Sequence, residues 1–187
     1  MNVSVLRDIG FYLMFAFTLL ALVFLVGEIM VEGEPGGRLI ALVGVFAPIV
    51  GISAWAWFSP KTVRPYLWLS VVVIVAVAAW WAIAPGFWDD FMEQSGPVIP
   101  VASIIAAAPI ALWGWRERSQ TTSAGIMLLI VSLTPIIGVL FVPDAISRGI
   151  VLAVGIMIGP YAVGGFLYLL AGSRESRLTY PKVTLSN

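Results

Sequence analysis

The sequence alternates between six long apolar segments and short stretches that hold the charged residues. Each segment runs for at least 19 residues without Asp, Glu, Lys or Arg. An α-helix rises about 1.5 Å per residue and a bilayer's hydrocarbon core is about 30 Å thick, so about 20 residues span it. The pattern predicts an all-α, polytopic integral membrane protein with six transmembrane helices. The predicted spans are about 9–30, 39–58, 66–86, 97–115, 123–142 and 149–171.

These spans predict one transmembrane domain over residues 1–173 and a short cytoplasmic tail over 174–187. We interpret the first span as an uncleaved helix rather than a signal peptide. Its apolar run exceeds the usual length of a signal-peptide core, and no small-residue cleavage site follows it.

Basic residues cluster on one predicted side of the membrane. Eight of the ten lie in the N-terminus, the second and fourth loops and the tail, while Arg38 and Arg148 lie on the other side. Lys and Arg in short loops favour the cytoplasmic side, so we expect both termini to be cytoplasmic in a cell membrane. All eight tryptophans lie toward predicted helix ends, the depth that indole rings favour.

Composition supports the membrane class and limits the kinds of cofactor, metal and catalytic site that the protein can form. Hydrophobic residues make up 60% and charged residues 11%, whereas soluble domains have about 45–50% and about 25%. Without Cys or His, thiolate clusters, bis-imidazole haem, His-based zinc sites and Ser-His or Cys-His nucleophiles are excluded. We therefore predict a non-enzymatic protein with no cofactor and no metal site. The net charge of zero argues against a nucleic-acid partner.

The second, fourth and sixth predicted helices share a pattern. Pro48, Pro109 and Pro160 are each followed by two aromatic residues two positions apart and then by a basic residue. The pattern predicts three helical hairpins in a pseudo-threefold bundle with a central pathway. Aromatic belts and the cytoplasmic bias of basic residues would produce part of this pattern without a repeat, so both interpretations stay open.

Three prolines, Pro48, Pro135 and Pro160, lie near the middle of predicted helices, and Pro109 lies in the cytoplasmic half of its own. Each removes a backbone donor and frees a carbonyl one turn earlier, so we expect the kinks to face the protein interior. Four kinked helices fit a gated or solute-binding bundle. The alternative is that proline is simply common in transmembrane helices.

Hydroxyl groups occur near the middle of several predicted spans. Ser103, Ser132, Thr134 and Tyr161, together with the four prolines, form the candidate pathway for a solute; Thr18 lies at similar depth. Such hydroxyls also bond within their own helix or to a neighbouring helix, and this packing role is the alternative. A further packing motif, Gly155 and Gly159, would allow close helix contact within the chain or between copies.

No ionisable residue lies deep in a predicted span, in contrast to proton- or ion-coupled carriers. The predicted outer side is acidic and provides a candidate vestibule that would concentrate cations. Its members are Glu28, Glu32, Glu34, Asp89, Asp90 and Glu93. Solvated loop charges are the alternative.

Two functions fit this pattern. The first is a channel- or permease-like component that binds or conducts a neutral or apolar small solute. The second is an accessory or scaffold subunit of a larger membrane complex. The bilayer is the expected partner in both cases, with further copies or other membrane subunits as additional partners.

Overall fold

The computed structural model describes residues 3–32, 35–83, 98–141 and 148–179. They form six α-helices, and no strand occurs within these ranges. The helices are α1 (Val3–Glu32), α2 (Pro35–Phe58), α3 (Pro60–Ile83), α4 (Val98–Arg116), α5 (Thr121–Phe141) and α6 (Arg148–Thr179). The predicted all-α class with six helices is therefore confirmed.

Two connections between helices are described, and both are tight. Ser59 separates α2 from α3, and its backbone N–H still donates to the carbonyl of Trp55 at 2.8 Å. Pro60 begins α3, a position that suits proline because the first N–H groups of a helix lack intrahelical acceptors. A 3-10 turn over Arg118–Gln120 joins α4 to α5.

Helix α4 lies at the centre of the bundle and contacts each of the other five helices. The others surround it in the order α1, α2, α3, α5 and α6. Small residues such as Ala107, Ala111 and Gly114 are buried along α4, and small residues let neighbouring helices approach closely. This arrangement differs from the predicted pseudo-threefold bundle, because a helix occupies the position of the central pathway.

The bundle has a basic end, at which α1 begins, α2 meets α3, α4 meets α5, and α6 reaches its last turns. Hydrogen bonds connect the helices at this end. Trp113 Nε1 donates to the carbonyl of Pro60 at 2.7 Å, and Thr121 Oγ1 donates to the carbonyl of Gly114 at 3.1 Å. Among the side chains that the structure describes, the exposed cations at the basic end are Lys61, Arg64, Arg116, Arg118 and Arg174.

Large apolar side chains are exposed on the outer faces of the helices, among them Phe15, Val23, Leu69 and Phe166. Within the described ranges, two segments are long and apolar enough to cross a membrane, Val3–Val23 and Pro60–Trp80. A shorter apolar segment covers Phe46–Phe58.

Candidate apolar binding groove

An apolar groove of about 460 Å³ lies between α2, α3 and α4. We call it the α2–α3 groove. Leu67, Ile74 and Ala106 form buried parts of its wall, together with the fully covered Pro109. The volume falls in the range of about 300–1,000 Å³ that is typical of small-molecule sites.

The groove opens on the outer face of α3. Leu69 and Val73 lie at this opening and are 58% and 51% exposed. The adjacent Val72 is exposed to a similar extent but does not line the groove. A ligand would therefore enter from the side of the bundle rather than along its axis.

Two polar groups of the groove wall are already hydrogen-bonded within the protein. Trp55 Nε1 donates to Thr62 Oγ1 at 2.9 Å, and that hydroxyl donates to the carbonyl of Ser59 at 3.0 Å. Ser70 Oγ donates to the carbonyl of Leu67 at 2.7 Å. The wall consequently presents mostly carbon, which favours an apolar ligand over a polar one.

Trp55 and Tyr66 close the groove toward the basic end. Their ring centroids are 4.4 Å apart and the ring planes are tilted by 47°. Because Trp55 lies in the last turn of α2 and Tyr66 in the second turn of α3, the short connection at Ser59 brings the two rings together. Among the groove-lining residues, the Tyr66 hydroxyl is the remaining polar group that could orient a ligand.

A second, smaller groove of about 250 Å³ lies on the other side of α2, against α1 and α4. Its wall is also largely apolar and includes Phe15, Leu22 and Ile49. Thr18 lines it too, but the Thr18 hydroxyl donates to the carbonyl of Met14 at 2.8 Å. Helix α2 is therefore flanked by open volume on both sides.

The three predicted prolines whose side chains the structure describes do not line a common groove. Pro109 lines the α2–α3 groove, whereas Pro48 is half-buried in α2 and lines neither groove. Pro160 is buried in α6. Pro135 falls within α5, but its side chain lies outside the described residues.

The predicted hydroxyls whose side chains the structure describes form hydrogen bonds within a helix or between two helices. Ser132 Oγ donates to the carbonyl of Leu129 at 3.0 Å, and Thr134 Oγ1 donates to that of Ile130 at 2.7 Å. The Tyr161 hydroxyl lies 2.8 Å from Thr18 Oγ1. Since Thr18 gives its proton to Met14, Tyr161 is the donor to Thr18. The Ser103 side chain lies outside the described residues.

Most of the predicted acidic vestibule lies outside the part of the chain that the structure describes. Glu28 and Glu32 are in the last turns of α1 without described side chains; Glu34, Asp89, Asp90 and Glu93 are not described at all. Gly155 lies in α6, again without a described environment. A methyl group built on Gly159 would meet no atom within 4 Å, so Gly159 does not mediate helix contact within the described chain.

Among the groove residues, Pro109 is the one that the sequence pattern predicts as a site residue. Trp55 is predicted only as part of an interfacial aromatic belt, and Tyr66, Ser70 and Ala106 have no predicted role. One available signal was the placement of two aromatic residues on either side of Pro60. A proline ends the preceding helix, and the next helix then runs in a new direction. Aromatic side chains on either side of such a break can therefore come into contact.

Comparisons with known proteins give no further guide to the site. No protein-family model matches the sequence, and neither a curated protein nor a solved structure is significantly similar to it.

Proposed function

We propose that this chain is a six-helix protein of the cell membrane, with both termini cytoplasmic, which binds an apolar small molecule in the α2–α3 groove. The six apolar segments and the clustering of basic residues support the insertion. The exposed large apolar side chains also support it, because they would otherwise face water.

The observation that carries this proposal is the groove itself. It combines ligand-sized volume, a carbon-lined wall and an opening on the outer face of α3. In a membrane this opening would face the lipid, so an apolar molecule would reach the groove by lateral diffusion in the bilayer. The site thus favours binding over conduction, since α4 occupies the bundle centre.

Photo-crosslinking in nanodiscs tests the binding site. The probe is a neutral long-chain alcohol that carries a diazirine, and crosslinks on α2 and α4 peptides are measured by mass spectrometry. Val73→Trp should fill the mouth of the groove and reduce these crosslinks by about tenfold, which corresponds to about 1.4 kcal/mol of lost binding. The substituted side chain lies at the surface, so the fold should be retained.

The matched control is Val72→Trp, which adds the same side chain to the adjacent exposed position outside the groove. It should leave the crosslinks on α2 and α4 unchanged. Equal labelling of the wild type and Val73→Trp, or an equal decrease in both variants, would contradict the proposed site.

The absence of cysteine from the sequence makes the topology directly testable. A single Ser119→Cys thiol between α4 and α5 should be protected from a membrane-impermeant maleimide in intact cells. Asp90→Cys, in the loop predicted to be outside, should react. The reverse pattern would overturn the proposed orientation, and reaction of both thiols would contradict the insertion.

The outer face of α2 favours a second candidate function, that of an accessory subunit. It exposes Gly44, Ala47, Gly51 and Ala54 at helical spacing, and methyl groups on the two glycines would meet no atom within 4 Å. Small-residue faces allow another transmembrane helix to approach closely.

Purification in a gentle detergent separates the two functions. Under the accessory-subunit proposal, other membrane proteins should co-purify in stoichiometric amounts and should be lost in Gly51→Leu. A single chain or a homo-oligomer would favour ligand binding as the function of the chain itself.

A further inference from the structure

A series of nearly parallel aromatic rings leads to the second, smaller groove, which we call the α1–α2 groove. The series begins at Trp57 of α2, whose ring stacks with that of Trp115 at a centroid distance of 6.2 Å. Trp115 stacks with Phe11 at 4.7 Å, and Phe11 stacks with Phe15 at 5.8 Å. The ring planes in each pair differ by only 20° or 21°. Three helices, α1, α2 and α4, therefore contribute to one ring series.

The two ends of this series have different surroundings. At the first end, the guanidinium of Arg116 lies 5.0 Å from the centroid of the Trp57 ring, a distance at which a cation is attracted to an aromatic face. At the other end, Phe15 is 50% exposed and lines the α1–α2 groove. Among the described residues, Phe11 supplies the one ring that stacks with Phe15. The series thus ends with an aromatic ring in the wall of an open groove.

The size and lining of the α1–α2 groove limit what it can bind. An apolar cavity of about 150 Å³ accommodates one benzene ring. The groove has a volume of about 250 Å³, so it accommodates one or two fused rings. Phe46 adds a further aromatic side chain to the wall, and Met14 adds a sulfur, which makes favourable contacts with rings. The described residues of the wall include no charged side chain, which favours a neutral ligand.

We propose that the α1–α2 groove binds a neutral planar aromatic molecule of one or two fused rings, which extends the ring series beyond Phe15. Aromatic rings pair favourably at centroid distances of about 4.5–7 Å, and such a pair contributes more than the burial of its apolar area. A saturated ring system of the same size would fill the groove but would lack this contribution.

The ligand enters from the side of the bundle. Leu19 and Val50 line the groove and are 49% and 62% exposed, so the opening lies on the outer face between α1 and α2. Entry from the bilayer rests on the membrane insertion proposed above. The site itself is separate from the α2–α3 groove, to which α1 contributes no described residue.

A pair of photo-probes in nanodiscs tests the aromatic preference. Both carry the same alkyl diazirine, one on naphthalene and the other on its fully saturated analogue, and they are compared at equal concentrations in the bilayer. Crosslinks are measured on α1 peptides, because α1 lines this groove and not the other. The naphthalene probe should label α1 of the wild type about fivefold more than the saturated probe, which corresponds to about 1 kcal/mol. Equal labelling by the two probes would overturn the aromatic ligand.

Phe15→Leu removes the last ring of the series and keeps an apolar side chain. Labelling by the naphthalene probe should fall about fivefold, to the level of the saturated probe, whose own labelling should not change. The matched control is Phe166→Leu, which removes a ring that is 55% exposed on α6 and lines neither groove. It should behave like the wild type. A wild-type ratio of the two probes in Phe15→Leu, or an equal decrease in both variants, would overturn the site.

Val50→Trp keeps the test informative if Phe15→Leu does not fold. The added indole should fill the mouth of the α1–α2 groove and reduce labelling of α1 by the naphthalene probe. Val73→Trp, which fills the α2–α3 groove instead, should leave this labelling unchanged. Full labelling in Val50→Trp, or a loss of labelling in Val73→Trp, would contradict a separate aromatic site between α1 and α2.

Discussion

The bundle is packed closely around α6 and loosely around α2. Glycines bring α5 and α6 together, since a methyl group on Gly125 would lie 2.8 Å from the carbonyl oxygen of Gly165. Grooves of about 460 Å³ and 250 Å³ lie on either side of α2. Helix α2 packs mainly on α4, and its contacts with α1 and α3 are much less extensive.

This difference shows that glycine content alone does not produce close packing. Gly164 and Gly172 face Met14 and Thr122, whereas Gly44 and Gly51 on α2 face no atom within 4 Å. Close approach therefore depends on which face of the helix the glycine occupies. The closely packed side provides a rigid frame, and the loosely packed side provides the volume that a ligand needs.

The largest effect is expected from Gly125→Ala, which breaks the closely packed side. The added methyl group would clash with two backbone atoms, the oxygen of Gly165 at 2.8 Å and the nitrogen of Leu169 at 3.0 Å. Overpacking of this kind should lower the free energy of unfolding by about 1–3 kcal/mol. The measurement is reversible unfolding in mixed micelles, followed by tryptophan fluorescence.

Gly51→Ala is the matched control, because its methyl group meets no neighbour. Alanine is also favoured over glycine within a helix, by about 0.5–1 kcal/mol. Unfolding of this variant should require the same or more denaturant than the wild type. Equal destabilisation by the two substitutions would show that the two sides do not differ.

A smaller effect is expected from Tyr168→Phe, which removes one hydrogen bond and leaves the ring. The Tyr168 ring packs against Gly10 and Gly114, and its hydroxyl joins α6 to the carbonyl of Ala111 in α4. Losing the buried bond should cost about 1 kcal/mol in the same unfolding experiment. Tyr12→Phe, at a position that is 60% exposed, should cost much less. Similar losses in both variants would mean that this bond does not stabilise the closely packed side.

The six helices could be predicted from the sequence because their signal is local. Charge-free runs mark each helix, although α1 extends from Val3 to Glu32 beyond the predicted 9–30. Backbone hydrogen bonds continue a helix past its apolar run, and this extension places Arg7 inside α1. Hydropathy marks only the apolar part of α1, so it underestimates the length of the helix.

The arrangement of the helices could not be predicted in the same way. A hydropathy pattern does not specify which helices are neighbours, so the central position of α4 was missed. The alanines at 106–108 were the relevant signal, since a helix surrounded on all sides needs small side chains. The groove depends on that arrangement, which explains why only Pro109 was identified in advance.

The smallest effect is expected from the double variant Ser132→Ala and Thr134→Ala. These hydroxyls were candidates for a solute pathway, yet each bonds to a carbonyl of its own helix α5. Intrahelical bonds of this type leave the underlying backbone bonding intact, so the variant should change unfolding by less than about 0.6 kcal/mol. Probe crosslinking in the α2–α3 groove should remain at the wild-type level, because neither residue lines it. A loss of crosslinking with unchanged stability would instead indicate that the ligand binds along α5, in the solute pathway that the sequence predicts.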